Sequence, residues 1–347
     1  MFRYIGSKSS TSANISLLIN DLIGIGTVAD AFGGLGTIGA ELRGNGHRVT
    51  TCDVLNFPHA FQIARIEGKA KLPFSGINLQ TASSSMEEIR HKLNSSKVSR
   101  SWIVEEYSKQ RKFFTYENAI VIAGAWHQIK RWHDARCLTR RETALLVASL
   151  LNSMDAVANT AGTYYAYLKK FHRKALKPFR FEWFPVIGGR YVGEALHGDA
   201  LSCLKGKVFD VLYLDPPYNE RNYASYYHLP ESMSRLTRPK TNPERASGIP
   251  TGVHPGAICI RNGMRIEYIE ALATNVGWRH LVVHYCDGAL IPLNIMRERL
   301  SRFGRVQELL LPALGYTTNK IARSINHHVF VVSAVANTPA RTLCHPR

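Results

Sequence analysis

Several short runs of this chain are almost continuously hydrophobic and rich in β-branched residues, and they limit the possible folds more than any other feature. They are residues 208–215 (VFDVLYLD), 280–286 (HLVVHYC), 304–311 (GRVQELLL) and 327–335 (HHVFVVSAV). Strands with one face in water alternate in polarity, so continuous runs are typical of strands buried on both faces. Helical spacing between the runs, as in residues 265–276, predicts a doubly wound α/β sheet.

Turn signals and charge indicate an α/β domain that is interrupted by a segment of different composition. Residues 1–60 have the order helix, strand, glycine turn, helix, strand, and residues 186–335 return to strands. The intervening residues 61–185 are basic, rich in aromatic residues and mostly helical in pattern. We therefore predict a discontinuous, Rossmann-like α/β domain with a mostly helical insert, followed by a tail at residues 336–347.

Two local patterns are more specific. Thr139 and Glu142 have the spacing of a capping box before an apolar helix face, which predicts a helix that begins after Thr139. Residues 238–256 are rich in Pro, Gly and basic residues, which predicts a long mobile loop.

The charge of the chain points to a polyanionic partner. Lys and Arg number 44 against 26 Asp and Glu, which gives a formal net charge of +18. Residues 86–190 alone hold 19 basic and 9 acidic residues. Nucleic acid is the expected partner of such an excess, and a solvated basic surface is the alternative.

The cysteines argue against a metal site. The six cysteines lie far apart and form no Cys-x-x-Cys pair, so neither a zinc site nor a disulfide framework is expected. No apolar run approaches the length needed to span a bilayer. These features predict a cytoplasmic protein that neither binds a metal nor enters a membrane.

A glycine turn marks a candidate cofactor site. Gly34, Gly36 and Gly39 form a Gly-x-Gly-x-x-Gly pattern, and Asp53 follows at the end of the next predicted strand. The glycines let a ligand approach the backbone, and an acid at that strand end can bind both ribose hydroxyls of an adenosine. This arrangement suits a nicotinamide dinucleotide and S-adenosylmethionine equally well. A turn needed only for packing, with Asp53 as a helix cap, is the alternative.

The first of the hydrophobic strands stops on Asp-Pro-Pro-Tyr, at the edge of the sheet where ligands bind. This combination suits methylation of an aromatic amine, whose lone pair is delocalised into the ring. The Asp215 carboxylate and the Pro216 carbonyl can each accept one N–H hydrogen bond and hold the lone pair on nitrogen. Pro216 and Pro217 fix the direction of that carbonyl. Tyr218 offers a ring face on which a base taken out of the duplex can stack.

At these residues the sequence resembles the Dam-like class of DNA adenine-N6 methyltransferases. The match covers most of the chain, with several motifs in the family's order. The matching stretches are RYIGSK (3–8), DAFGGLG (30–36), HGDA (197–200), DPPY (215–218) and NERNYASYYHLPE (219–231).

The resemblance implies S-adenosylmethionine as the cofactor and assigns residues to it. Phe32, Gly34 and Gly36 would bind its methionine and ribose. Asp53 would hold the ribose, and Asp199 the adenine. The remaining matched cofactor residues are Tyr4, Lys8, Asp30 and Ala200.

The resemblance also implies double-stranded DNA as the partner. Residues 61–185 occupy the place of the family's target-recognition domain, and their cations and aromatics suit phosphate contacts and stacking. Each of those aromatics can also be read as a core residue. The candidate DNA-binding residues are Arg221, Asn222, Tyr223, Lys130, Arg131, Lys169 and Lys170.

Two places depart from the family's pattern. The strand end that has a Ser-Tyr-Asn style in the family reads VVHYCDG here (282–288), and the last strand carries His327 and His328. Both places concern how the target base is held more than the transfer of the methyl group.

The sequence thus predicts a site-specific DNA adenine methyltransferase of a restriction–modification system or a phage, with a cognate endonuclease as a further partner. Methylation of RNA adenine or of the N4 amino group of cytosine is an alternative, because the same hydrogen bonds serve both. A DNA-binding relative without turnover is a second alternative. A nicotinamide-dependent oxidoreductase is a third, although it explains neither the charge nor the Asp-Pro-Pro-Tyr motif.

Overall fold

The computed structural model describes residues 2–5, 10–68, 71–79, 85–242, 246–252, 254, 256–314 and 324–334. The strands in these residues are β1 Thr27–Asp30, β2 Arg48–Asp53, β3 Glu194–His197, β4 Val208–Leu214, β5 Gly277–Cys286, β6 Arg305–Leu314 and β7 Ser324–Ser333. They form one sheet in the order β3-β2-β1-β4-β5-β7-β6.

Neighbouring strands run parallel from β3 to β5, whereas β7 is antiparallel to both β5 and β6. The sheet combines β1 and β2 with five strands that follow residue 185. The sequence pattern did not predict β3, because its four residues are too few to give a recognisable hydrophobic run.

Helices cover both faces of the sheet. The α-helices are α1 Ser12–Ile23, α2 Thr37–Gly44, α3 Asn56–Gln62, α4 Met86–Ser95, α5 Trp102–Val104, α6 Tyr116–Asp134, α7 Arg140–Ala156, α8 Ala200–Leu204, α9 Tyr223–Tyr226, α10 His228–Ser234, α11 Ala257–Gly263, α12 Ile266–Asn275 and α13 Leu293–Leu300. Short helical segments of other types span Ile63–Glu67, Glu105–Lys109 and Arg173–Leu176. No helix in the described part of the chain combines the length and the apolarity needed to cross a bilayer.

The predicted capping box of α7 is present. The Thr139 hydroxyl accepts from the Glu142 N–H at 3.3 Å, and the Glu142 carboxylate accepts from the Thr139 N–H at 2.8 Å. These two bonds satisfy donors that the first turn of a helix leaves without partners. The same arrangement begins α4, where Ser85 and Glu88 exchange hydrogen bonds.

The helices between residues 86 and 156 share a core with the elements that support the sheet. Buried residues of α4, α6 and α7 belong to one hydrophobic cluster with Phe57 and Phe61 of α3 and with Leu229 of α10. These helices therefore pack directly on elements that support the sheet.

The segment 238–256 differs from the predicted mobile loop where it is described. Thr241 and Pro250 form an antiparallel bridge. The Tyr107 hydroxyl donates to the Gly248 carbonyl at 3.1 Å, which ties the segment to the insert. Composition alone could not indicate the second contact, since Tyr107 and Gly248 lie 141 residues apart in the sequence.

Candidate active site

A cavity opens at the carboxyl ends of β1, β2 and β4, the edge at which open α/β sheets bind ligands. Its space, counted out to the open mouth, is about 990 Å³. The structure brings eleven of the predicted site residues together in its walls: Tyr4, Asp30, Phe32, Gly34, Asp53, Ala200, Asp215, Pro216, Pro217, Tyr218 and Tyr223.

Two further predicted cofactor residues lie just behind the walls. Gly36 is the residue before α2 and has a left-handed backbone, with φ of +71°. Asp199 accepts a hydrogen bond at 2.9 Å from the hydroxyl of Tyr268, which itself lines the cavity. Asp199 also caps α8 by accepting from the N–H of Leu201 at 3.1 Å. Lys8 lies outside the described residues.

The glycine turn is held by two side chains that sequence analysis missed. Gln62 donates to the Gly34 carbonyl at 2.8 Å, and Arg65 donates to the Leu35 carbonyl at 3.0 Å. Gly34 itself has φ of +50°, a conformation that favours glycine. Burial lowers the pKa of Arg65 to about 10, so its guanidinium remains charged at neutral pH. No local motif marks Gln62 or Arg65. Gln62 is the last residue of α3, and Arg65 lies in the π-helical segment that follows it, so both are distant from the turn in the sequence.

The carboxyl group of Asp53 stands at the end of β2. It accepts a hydrogen bond from the Leu55 N–H at 2.9 Å. Burial raises the pKa of this carboxyl to about 7, an increase that hydrogen bonds from backbone N–H groups only partly oppose. Asp53 can therefore exchange a proton close to neutral pH.

The Asp-Pro-Pro-Tyr stretch follows β4 directly and faces the cavity. The Tyr218 hydroxyl donates a short hydrogen bond to the Asp215 carboxylate. The ring of Tyr218 meets the ring of Tyr285 edge-on, with centroids 5.2 Å apart. Burial, together with the charge of Asp215, raises the pKa of Tyr218 well above its usual value. The hydroxyl thus stays protonated and can orient the carboxylate.

Aromatic side chains support the side of the cavity near the N-terminus. Tyr4 packs against Tyr227 and Tyr223, with ring centroids 5.2 Å and 5.8 Å away. The Tyr227 hydroxyl accepts a hydrogen bond from the Ile5 N–H at 2.7 Å. Tyr227 belongs to the NERNYASYYHLPE stretch, which the resemblance marked as a whole without giving Tyr227 a role.

An aromatic stack continues from this wall towards solvent. The Arg221 guanidinium lies over the ring of Tyr226, 5.8 Å from its centroid, and Tyr226 stacks on Tyr165 at 4.9 Å. Tyr165 is 49% exposed. Since Tyr223 on the same helix turn lines the cavity, the stack lies beside the cavity mouth. It joins α9 to the insert, and no sequence motif indicated it.

The predicted DNA-binding residues occupy different positions. Arg221 and Asn222 are exposed directly after the Asp-Pro-Pro-Tyr stretch. The Lys130 ammonium group pairs with Asp134 at 2.8 Å on α6. Three further cations, Arg131, Lys169 and Lys170, are exposed on the insert.

Comparison with known proteins identifies relatives along most of the chain. The type II methyltransferase M.FokI of Planomicrobium okeanokoites is 27% identical over 298 residues, 83% of this chain but only 45% of that longer protein. The type II methyltransferase M.NlaIII of Neisseria lactamica is 26% identical over 310 residues, covering 87% of this chain and 88% of the relative. The type II methyltransferase M.CviAII of Paramecium bursaria Chlorella virus 1 is 30% identical over 197 residues, 57% of this chain and 58% of the relative.

The family comparison agrees with the motifs. Residues 4–243 match the family of D12 class N6 adenine-specific DNA methyltransferases, and this range holds the glycine turn, Asp53 and the Asp-Pro-Pro-Tyr stretch. The chain therefore belongs to the D12 class of N6 adenine-specific DNA methyltransferases.

Proposed function

We propose that this chain transfers the methyl group of S-adenosylmethionine to N6 of an adenine that is flipped out of double-stranded DNA. One observation carries the proposal: the Asp-Pro-Pro-Tyr stretch, the glycine turn and Asp53 line the same cavity. Family membership supports the reaction, and the geometry supports the roles of individual residues.

The cavity fits this cofactor. Asp53 can accept hydrogen bonds from two ribose hydroxyls, and Asp199 with Tyr268 stands where the adenine would lie. A Cβ atom at Gly34 would come within 3.1 Å of the Tyr4 ring, so a larger residue there would push on a ring of the cavity wall. When bound, S-adenosylmethionine supplies a methyl group on a positively charged sulfur, which is already activated for transfer.

Asp215 and Pro216 activate the amine. The carboxylate of Asp215 and the carbonyl of Pro216 each accept one N–H of the adenine amino group, which favours a tetrahedral nitrogen with its lone pair free to react. The hydroxyl of Tyr218 donates to Asp215 and fixes the carboxylate. Tyr223 lines the same cavity and supplies an aromatic wall beside the base.

The DNA-binding surface combines the insert with the mouth of the cavity. Residues 61–185 would act as the target-recognition region, with Arg131, Lys169 and Lys170 exposed for phosphate contacts. When the adenine is flipped out, a base beside it loses its stacking partner. The stack of Tyr165 and Tyr226 offers an aromatic surface on which that base can stack.

The relatives suggest a setting for this reaction. M.FokI and M.NlaIII are called type II methyltransferases, and a relative from Streptococcus sanguinis, 25% identical over 329 residues, is called a modification methylase. By the same logic this chain would protect DNA in the cytoplasm against a cognate restriction endonuclease.

Replacement of Asp215 tests the proposal. We expect Asp215→Ala to lower methyl transfer to DNA at least about 100-fold, because the amine loses its charged acceptor. The affinity for S-adenosylmethionine should change less than about threefold, since Asp215 is not assigned to the cofactor. Glu220→Ala is the matched control, because it removes an exposed carboxylate from the same loop. Full activity of Asp215→Ala would refute the assigned role.

A further inference from the structure

A buried chain of three hydrogen-bonding groups runs across the sheet beside the candidate active site. The Tyr213 hydroxyl lies 2.9 Å from Nδ1 of His284, and Nε2 of His284 lies 2.8 Å from Nδ1 of His327. Tyr213, His284 and His327 belong to β4, β5 and β7, which are neighbours in the sheet.

The chain leads from the cavity towards the surface. Tyr213 lines the cavity and, like His284, is fully buried. His327 is partly exposed. Both histidines lie at the places where the sequence departs from the family's pattern, so the family's usual residues do not account for them.

Each member of this chain can both donate and accept a hydrogen bond. In one pattern Tyr213 donates to His284 and His284 donates to His327; in the other every donor and acceptor is reversed. A series of groups that can exchange these two patterns moves a proton along its length.

The proposed reaction needs such a path. As the N–CH₃ bond forms, N6 of adenine still holds both of its protons and gains a positive charge, so removal of one proton assists the transfer. One proton must leave, and its N–H electron pair returns to nitrogen. In the proposed function the base beside this amine is the Asp215 carboxylate in the cavity wall, and DNA bound over the cavity mouth would separate it from bulk water.

Resting on the proposed function, we propose that Tyr213, His284 and His327 form a proton relay that carries this proton from Asp215 to solvent. Asp215 takes the proton, and the Tyr213 oxygen, which belongs to the same cavity wall, receives it from Asp215 directly or through one water, while the Tyr213 proton moves to His284. The Nε2 proton of His284 moves to His327, which releases a proton to water. The histidines touch no substrate and act through Asp215, so they are positioning residues.

The titratable groups around the relay favour transfer of the proton along it over retention of a charge on Tyr213. Burial raises the pKa of Tyr213 well above its usual value, and the nearby charges of Asp215 and then Asp30 add to this increase. Tyr213 therefore stays neutral at rest. From the catalytic loop Tyr218 also approaches His327, with ring centroids 6.3 Å apart. The other ionisable side chains of β4 to β7 are Asp210, Arg279, His280, Tyr285, Cys286, Arg305, Glu308 and His328, and Asp287 follows β5 directly.

His328 does not belong to the relay. Its two ring nitrogens contact carboxylates of Glu308 and Asp287, at 2.6 Å and 2.8 Å. Successive residues of a strand point to opposite faces, so His327 and His328 face different sides of the sheet.

The test measures the single-turnover rate of methyl transfer to duplex DNA as a function of pH. We expect Tyr213→Phe, which removes only the hydroxyl, to lower the rate roughly 10- to 100-fold near neutral pH. The deficit should shrink as pH rises, because hydroxide then takes the proton. His284→Gln should behave in the same way. Affinities for S-adenosylmethionine and DNA should stay unchanged.

Two further variants separate a relay from a structural role. His327→Gly should regain activity when imidazole is added, because a free base can replace the missing ring at the exposed end. His280→Gln is the matched control: this histidine lies on the same strand and contacts Ser333 at 3.2 Å, away from the relay. It should keep the wild-type pH profile.

The relay is overturned if Tyr213→Phe keeps the wild-type rate and profile, or loses activity equally at every pH. Failure of imidazole to restore His327→Gly would also overturn it. If the wild-type protein itself transfers no methyl group to DNA, the proposed function fails with it. An active wild type with an unaltered Tyr213→Phe variant removes the relay alone.

Discussion

Asp53 is a carboxyl group whose ionisation the cavity controls. Burial raises its pKa to about 7, whereas the N–H of Leu55 and neighbouring amides favour the charged form. A ribose that donates two hydroxyl hydrogen bonds requires the ionised carboxylate. The ligand-free protein therefore holds this residue near the midpoint of its titration at physiological pH.

This titration predicts how cofactor affinity depends on pH. Below pH 7 the free protein must release a proton from Asp53 before it can bind the ribose, so the affinity for S-adenosylmethionine should fall as pH falls. Between pH 8 and pH 6 we expect a loss of about tenfold. Calorimetry at both pH values measures it. Asp53→Asn should bind weakly and with little dependence on pH; an unchanged dependence in that variant would assign the titration to another group.

At the scale of elements, α9 and α10 connect the active site to the insert. On α10, the Met233 carbonyl accepts a hydrogen bond at 3.1 Å from the Trp126 side chain, which lies on α6 of the insert. On α9, Tyr226 stacks on Tyr165 of the insert. The elements that follow the Asp-Pro-Pro-Tyr stretch are thereby fixed to the region proposed to recognise DNA.

The aromatic stack gives a prediction for DNA binding. We expect Tyr165→Ala to weaken binding of duplex DNA by about 1–3 kcal/mol, the usual contribution of a base stacked on an aromatic ring. Tyr116→Ala is the control, because Tyr116 is a similarly exposed tyrosine of the insert, at 45% against 49%. Fluorescence anisotropy with labelled duplex measures both variants. Equal losses in the two variants would contradict a specific role for the stack.

Over the whole molecule, the features that could be predicted are those that a short stretch of sequence determines by its own pattern or spacing. The long buried strands β4, β5 and β7 and the capping box of α7 followed from hydrophobic pattern and spacing. The Asp-Pro-Pro-Tyr stretch and the glycine turn were visible as motifs, and the fold brings them to one cavity.

What escaped prediction depends on contacts between distant parts of the sequence. Arg65 acts on the glycine turn from about 30 residues away. The bond between Tyr213 and His284 spans 71 residues. Packing of a helical segment against the turn sets the first contact and the register of neighbouring strands sets the second, and a single sequence reveals neither.

The net charge of +18 predicts strongly salt-dependent DNA binding. Each phosphate contact adds about one unit to the slope of log affinity against log salt, so the double variant Lys169→Ala/Lys170→Ala should lower that slope by about 2. Lys205→Ala is the control, because Lys205 precedes β4 and so lies at the opposite end of the sheet from the cavity. A salt titration of duplex binding measures the slopes, and equal slopes for all three proteins would remove these lysines from the interface.

The most direct test of the account is transfer of labelled methyl from S-adenosylmethionine to unmethylated duplex DNA, with the digested nucleosides separated afterwards. The account predicts that the label appears in N6-methyladenine, and that structured RNA is not a comparable acceptor. Label in cytosine, label in RNA alone, or no label from a folded protein that binds the cofactor would contradict it.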